Sequence, residues 1–175
     1  IPPGWTEFYG GVEENPLGNN ETLYYFYDYR LCEKSEFDRT GHFVFYQYKP
    51  ENYKTDVYFS KAVDIIKRTS TDTKPFFLSV AHLAPVGDQD KYSGSPTPAP
   101  GDDGKFESEP IPKPPSYNEL DVSDKPSFIQ ELPLLGAARQ SDIKAHYRDQ
   151  LESLLAIDRG IAQIIKTLRD VGELD

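Results

Sequence analysis

The feature that most constrains this chain is Pro75-Phe76-Phe77-Leu78-Ser79-Val80-Ala81, a near-continuous apolar run preceded by a helical pattern. A run of this length and kind reads as a strand buried on both faces, the sort found inside a parallel sheet. Helix followed by buried strand is half of a βαβ unit. Such a strand needs neighbours on both edges, and the rest of the sequence does not plainly supply them. The helical pattern covers residues 55–69. Thr55 is the expected N-cap and Asp56 sits at the positive end of the dipole. Val57, Ala62, Val63, Ile65 and Ile66 form the apolar stripe, and Lys67 and Arg68 lie in the last turn.

On the N-terminal side, Leu23–Tyr27 and His42–Tyr48 read as strands by their aromatic content, joined by polar residues 33–41. On the C-terminal side, residues 84–136 show neither period. Seven of the 15 prolines lie between Pro96 and Pro115. Proline fixes φ and restricts its predecessor, so this stretch is expected to be extended. A structureless loop of that length is unusual in a compact domain unless it is functional or packs on other parts. Residues 141–171 then form the strongest helical pattern. Ser141 is the candidate N-cap, Ile143, Tyr147, Leu151, Leu154, Leu155, Ile161, Ile165 and Leu168 the apolar stripe, and Gly172 the C′ residue.

Charge and composition exclude several classes. Lys and Arg total 19 against 29 Asp and Glu, a net charge of −10. That argues against a nucleic-acid backbone binder and against an anionic membrane surface. The 13% aromatic content is too high for an acidic disordered chain. No apolar run approaches a membrane span. The single Cys32 excludes an internal disulfide, and its acidic neighbours raise rather than lower a thiol pKa, so it reads as an ordinary half-buried thiol.

Few residues stand out chemically. Asn20-Glu21-Thr22 is a glycosylation sequon, which marks Asn20 as a polar-turn position. His42 and His146 read as surface residues. His82 directly follows the apolar run, where α/β proteins place ligand-binding residues, although a satisfied loop histidine is the simpler assignment. Asp88, Asp90, Asp102 and Asp103 lack the spacing of a calcium loop and read as solvated carboxylates. No glycine-rich phosphate loop, Gly-x-Ser-x-Gly elbow or His-Glu-x-x-His is present. These residues alone define a partial α/β domain with a long Pro-rich loop.

Several segments, in order, resemble the sulfatase family, in particular arylsulfatases and N-acetylglucosamine-6-sulfatases. They are Pro3-Gly4-Trp5-Thr6-Glu7-Phe8-Tyr9-Gly10, Tyr53-Lys54-Thr55-Asp56, Lys74-Pro75-Phe76-Phe77-Leu78 and Ala84-Pro85-Val86-Gly87. Pro114-Pro115-Ser116-Tyr117-Asn118-Glu119, Asp121 to Pro126, and Tyr147-Arg148 through Asp158 to Gly172-Glu173-Leu174 continue the series. The resemblance spans residues 1–175 as the middle of a catalytic domain. It implies an alkaline-phosphatase-like α/β fold, a mixed sheet flanked by helices. It also implies hydrolysis of sulfate esters of aryl or sugar substrates by a formylglycine nucleophile, with a calcium ion neutralising the sulfate oxygens. Secretion or a lysosomal compartment follows from the same resemblance.

The departures are specific. The Cys/Ser-x-Pro-x-Arg motif that becomes formylglycine does not occur. The family's Asp-Asp and Asp-Asn-Gly calcium ligands would fall before Ile1 and after Asp175. Val86 stands where the family usually has a histidine near the sulfate ester, and valine can neither donate a proton nor hydrogen-bond. His82, four residues earlier, is a weak candidate substitute. The chain alone is expected to be inactive. Two other readings are a catalytically dead sulfatase-fold protein that binds sulfated glycans or a protein, and a phosphodiesterase-type member of the same superfamily.

Overall fold

A computed structural model describes residues 3–12, 24–38, 40–88 and 94–174. Among these residues there are three strands and three α-helices. The strands are β1 (Phe8–Gly11), β2 (Tyr29–Lys34) and β3 (His42–Tyr46), and the helices α1 (Lys54–Thr69), α2 (Ser127–Gln130) and α3 (Ala137–Asp170). The strands form one antiparallel sheet in the order β1-β2-β3, with Gly10 opposite Cys32 and Cys32 opposite Phe43. This α/β arrangement differs from a mixed sheet: no parallel pair occurs among the described residues.

The second strand lies later in the chain than its aromatic content predicts. Tyr24 to Asp28 is a bend, and the strand begins at Tyr29. Burial explains the difference. Phe26 is fully buried and stacks on Tyr53 at 5.6 Å, and its carbonyl accepts from Lys54 N at 3.0 Å. The aromatics before Asp28 serve the core rather than a ladder. Asp28, at φ 49°, turns the chain, and its Oδ1 accepts from Tyr48 N at 2.7 Å. In β2, Tyr29, Leu31 and Glu33 face inward in strict alternation.

Helix α1 sits between the sheet and α3. Val57 packs with Tyr29 and Leu31, whereas Phe59 belongs to a core of Phe26, Tyr53, Ala84, Ala99, Ala156 and Ile157. Its N-cap is Tyr53, not Thr55, which is fully buried inside the first turn. Ion pairs tie α1 to the sheet side. Arg68 holds Glu7 in a bidentate pair at 2.8 and 2.9 Å, and Lys61 reaches Glu33 at 2.9 Å.

Helix α3 begins at Ala137, four residues before Ser141, with Gly136 as its N-cap. It ends as expected. Gly172, at φ 79°, donates to Arg169 O at 3.2 Å and Glu173 N to Leu168 O at 2.8 Å, a Schellman closure. The face against α1 is only partly the predicted stripe: Leu154 packs on the core that holds Phe59, beside buried Ile157. Ser153, Ala156, Gly160 and Thr167 are buried, while Ile161 and Ile165 are 45% and 40% exposed. Small residues let the two helices approach, and a Cβ at Gly160 would collide with the Phe59 ring. The bulky stripe is a second apolar face beside the first.

Residues 75–83 form no strand. Phe76, Leu78, Val80 and His82 are half-buried, while Phe77, Ser79 and Ala81 are exposed. The segment keeps the two-residue period of a strand, but none of the backbone groups of residues 76–82 has a hydrogen-bond partner among the described residues. The expectation of burial on both faces therefore fails: Phe77 is 81% exposed, with only the tilted Trp5 ring beside it, centroids 6.1 Å apart, among the described residues.

Candidate functional site

A groove of about 1130 Å³ separates this unpaired segment from β1 and α1. Trp5, Phe8 and Tyr9 line one wall, Tyr58, Lys61 and Ile65 the floor, and Phe76 to Leu83 the other wall. It places β1, whose outer edge carries no strand among the described residues, across from an extended segment equally without one.

His82 lines this groove and packs against Phe59, with ring centroids 5.6 Å apart. Val86 does not line it. Val86 is 51% exposed and closes a turn by donating from its N–H to Leu83 O at 2.9 Å. The two positions singled out in the sequence therefore face different surroundings. Asn20 lies outside the described residues.

Lys54, also on the groove, was not legible as a special residue. It is 2% exposed, its Nζ donates to Tyr25 O at 3.0 Å, and it lies 4.6 Å from the Tyr29 ring centroid. Burial pushes its pKa down to about 8, and the Asp88 carboxylate works in the opposite direction. A lysine in the first turn of an amphipathic helix ordinarily reads as surface, so only the Tyr53-Lys54-Thr55-Asp56 resemblance marked the place.

Two carboxylates expected in solvent are buried instead. Asp88 is 4% exposed and accepts from Thr97 Oγ1. Asp102 is 1% exposed and pairs with both Lys105 and Arg159 at 2.6 Å. They are buried because the segment around them docks on the core. Tyr53 Oη donates to Thr97 O at 2.8 Å, and Ala99 is 1% exposed beside it. Glu152 on α3 accepts from Phe106 N at 2.9 Å. His146, expected on the surface, is half-buried with Nδ1 3.2 Å from Ser95 Oγ. His42 is exposed and pairs with Asp38 at 2.8 Å. Cys32 is a half-buried free thiol in β2.

Among the described residues no group of three or more His, Cys, Asp or Glu side chains is arranged to hold a metal ion. The donor set does not fit a calcium centre: Asp102 is already neutralised by two cations, and Asp88 and His82 do not join it.

The whole chain is 30% identical to an arylsulfatase of Volvox carteri over 189 aligned residues. An arylsulfatase of Chlamydomonas reinhardtii is 34% identical over 142 residues, 72% of the chain. A Caenorhabditis elegans protein, named an extracellular sulfatase Sulf-1 homolog, is 26% identical over 176 residues, 99% of the chain. No family model matches, and no solved structure matches. The chain belongs to the sulfatase family. It spans about a quarter of the length of these relatives: 27% of the Volvox protein and 22% of each of the other two.

Proposed function

We propose that the whole protein is a sulfuric ester hydrolase, acting on aryl or sugar sulfate esters, and that these 175 residues form an inner part of its catalytic domain. The observation that carries this reading is similarity to an arylsulfatase along the entire chain. The unpaired segment 76–82 supports the accompanying fold, an alkaline-phosphatase-like α/β sandwich. A strand with free edges and a half-covered apolar face fits the interior of a larger sheet. The formylglycine nucleophile and the calcium ligands then belong to other parts of the protein, and the chain alone is inert. Secretion agrees with the sequon at Asn20 and with the nematode relative, whose name calls it extracellular.

Within this reading Val86 removes a proton donor from beside the ester, and His82 is the nearest histidine able to replace it. Purified full-length protein is expected to release sulfate from an aryl sulfate, and His82→Ala to lower turnover about a hundredfold or more. An unchanged rate in His82→Ala removes that residue from the chemistry. Tight binding of a sulfated sugar without sulfate release would favour the catalytically dead alternative, which Val86 motivates. Preferential cleavage of phosphodiesters would favour the phosphodiesterase alternative.

A further inference from the structure

A second, smaller cleft of about 350 Å³ lies away from the groove. Its walls include Tyr27, Tyr48, Pro50, Pro98 and Pro100, with the Asp103 carboxylate alongside. The two tyrosine rings stand 4.5 Å apart and tilted by 41°, and Tyr48 is 69% exposed. Ridged walls of tyrosine faces and proline rings are the surface on which polyproline helices dock. The ligand's carbonyls are free to accept from hydroxyls, and little conformational entropy is lost. A carboxylate beside such a cleft selects a ligand carrying a basic residue.

The same chain displays a ligand of that description. Pro110, Pro112, Lys113, Pro114, Pro115 and Ser116 are exposed. The segment is anchored at both ends. Arg148 Nε donates to Glu109 O at 3.1 Å, and Asn118 exchanges two hydrogen bonds with the Leu135 backbone at 2.6 and 3.3 Å. Between the anchors its only backbone–backbone bond among the described residues is the closing turn, Tyr117 N to Pro114 O at 2.8 Å, and Lys113 Nζ rests 5.5 Å from the Tyr117 ring centroid, which it must leave to reach a partner. The segment is therefore a pre-set proline arm with Lys113 at its centre.

We propose that the arm of one molecule docks in the cleft of a second copy of this chain, Lys113 facing Asp103, and that the exchange is mutual across a two-fold axis. This assignment requires that the arm and the cleft stay uncovered in the whole protein. These 175 residues carry a net charge of −10, so two such surfaces repel at long range and a local contact of opposite charges favours their meeting.

Sedimentation equilibrium of the whole protein across a concentration series tests the proposal. A reversible dimer is expected, and Tyr48→Ala and Pro115→Ala, both at exposed positions, should each weaken it about tenfold or more. Mixing the two variants restores one intact arm–cleft contact and puts both losses in the other, where one substitution already breaks the docking and the second adds little, so the mixture should dimerise more tightly than either variant alone. A synthetic peptide of residues 109–118 should compete with the wild-type dimer. A protein that stays monomeric at every concentration overturns the proposal. So does a dimer indifferent to both variants, or a mixture no tighter than its components.

Discussion

Two extended segments flank the same helix pair and meet opposite fates. Residues 95–102 have no regular secondary structure, yet they are among the best-buried parts of the molecule: Ser95, Ala99 and Asp102 are each no more than 3% exposed. Residues 76–82 have the composition of a core strand, yet they lie half-uncovered, with their backbone unpaired among the described residues. The difference is where each segment's polar groups go. The proline-rich segment has few N–H groups to satisfy, and Tyr53, Lys105 and Arg159 meet its Thr97 carbonyl and Asp102 carboxylate. The apolar segment carries a full set of backbone donors and acceptors that only neighbouring strands can satisfy. Burial in this chain follows polar satisfaction rather than hydrophobicity alone.

The largest effect should come from the wall that the docked segment shares with the helices. Phe59→Ala removes the ring that fills the space over Gly160 and should cost about 3–5 kcal/mol in denaturant unfolding of the whole protein. A loss under 1 kcal/mol would mean that the core containing Ala99 does not depend on that ring.

Alkaline unfolding ranks next, and its sign follows from two opposed sets of groups. Burial lowers Lys54 to about 8 from an ordinary 10.5, so the cost of its charge is relieved as pH rises between those values. Burial raises Tyr9, Tyr27 and Tyr58 to about 12, and Tyr29, Tyr46 and Tyr53 beyond that. Their contribution is intact below the ordinary tyrosine value of 10 and is lost as pH climbs through the folded values. Six tyrosines outweigh one lysine, so stability should crest near pH 10 and fall steeply above it. A monotonic decline from pH 8 in a pH series of thermal melts would contradict the burial of Lys54.

Tyr53→Phe should cost about 1 kcal/mol by removing the donor to Thr97 O, and should speed proteolysis within 95–102 more than elsewhere. The smallest effect is the most informative about the other segment. Phe77→Asp should change the stability of the 175-residue chain by no more than about 0.5 kcal/mol, since Phe77 faces solvent. In the full-length protein the same substitution should be severe, because a covered face would then bury an unpaired carboxylate. Equal effects in both contexts would sink the account of 76–82 as an unfinished interior strand.

Much of this was legible in the residues. The helices read at 55–69 and 141–171 follow from their periodicity, although α3 starts four residues earlier, the Gly172 stop follows from its place after the last turn, and the strand read at 42–48 from its aromatic run, two residues longer than β3. What escaped was tertiary. Phe26 left its predicted strand to stack on Tyr53. The face of α3 toward α1 is built from Ser153, Ala156 and Gly160, because close approach favours small residues and hydrophobicity does not mark them. Asp88 and Asp102 read as solvated carboxylates in the sequence because their partners, Thr97, Lys105 and Arg159, are brought together only by the docked segment. The family was readable from the order of short segments; of the two positions singled out in the sequence, His82 lines the groove and Val86 does not. The burial of Lys54 was not readable, since it depends on Tyr25 and Tyr29 folding over the first turn of α1.

The proposed fold makes 76–82 an interior strand of a larger sheet, without partners among the described residues. Hydrogen exchange of the 175-residue chain and of the full-length protein, followed side by side, tests it most directly. In the shorter chain the amides of Phe76 to Val80 should exchange at nearly unprotected rates while those of α1 and α3 are protected, and in the full-length protein the same amides should become among the slowest. Slow exchange at Phe76 to Val80 in the shorter chain, or fast exchange there in the full-length protein, would contradict it.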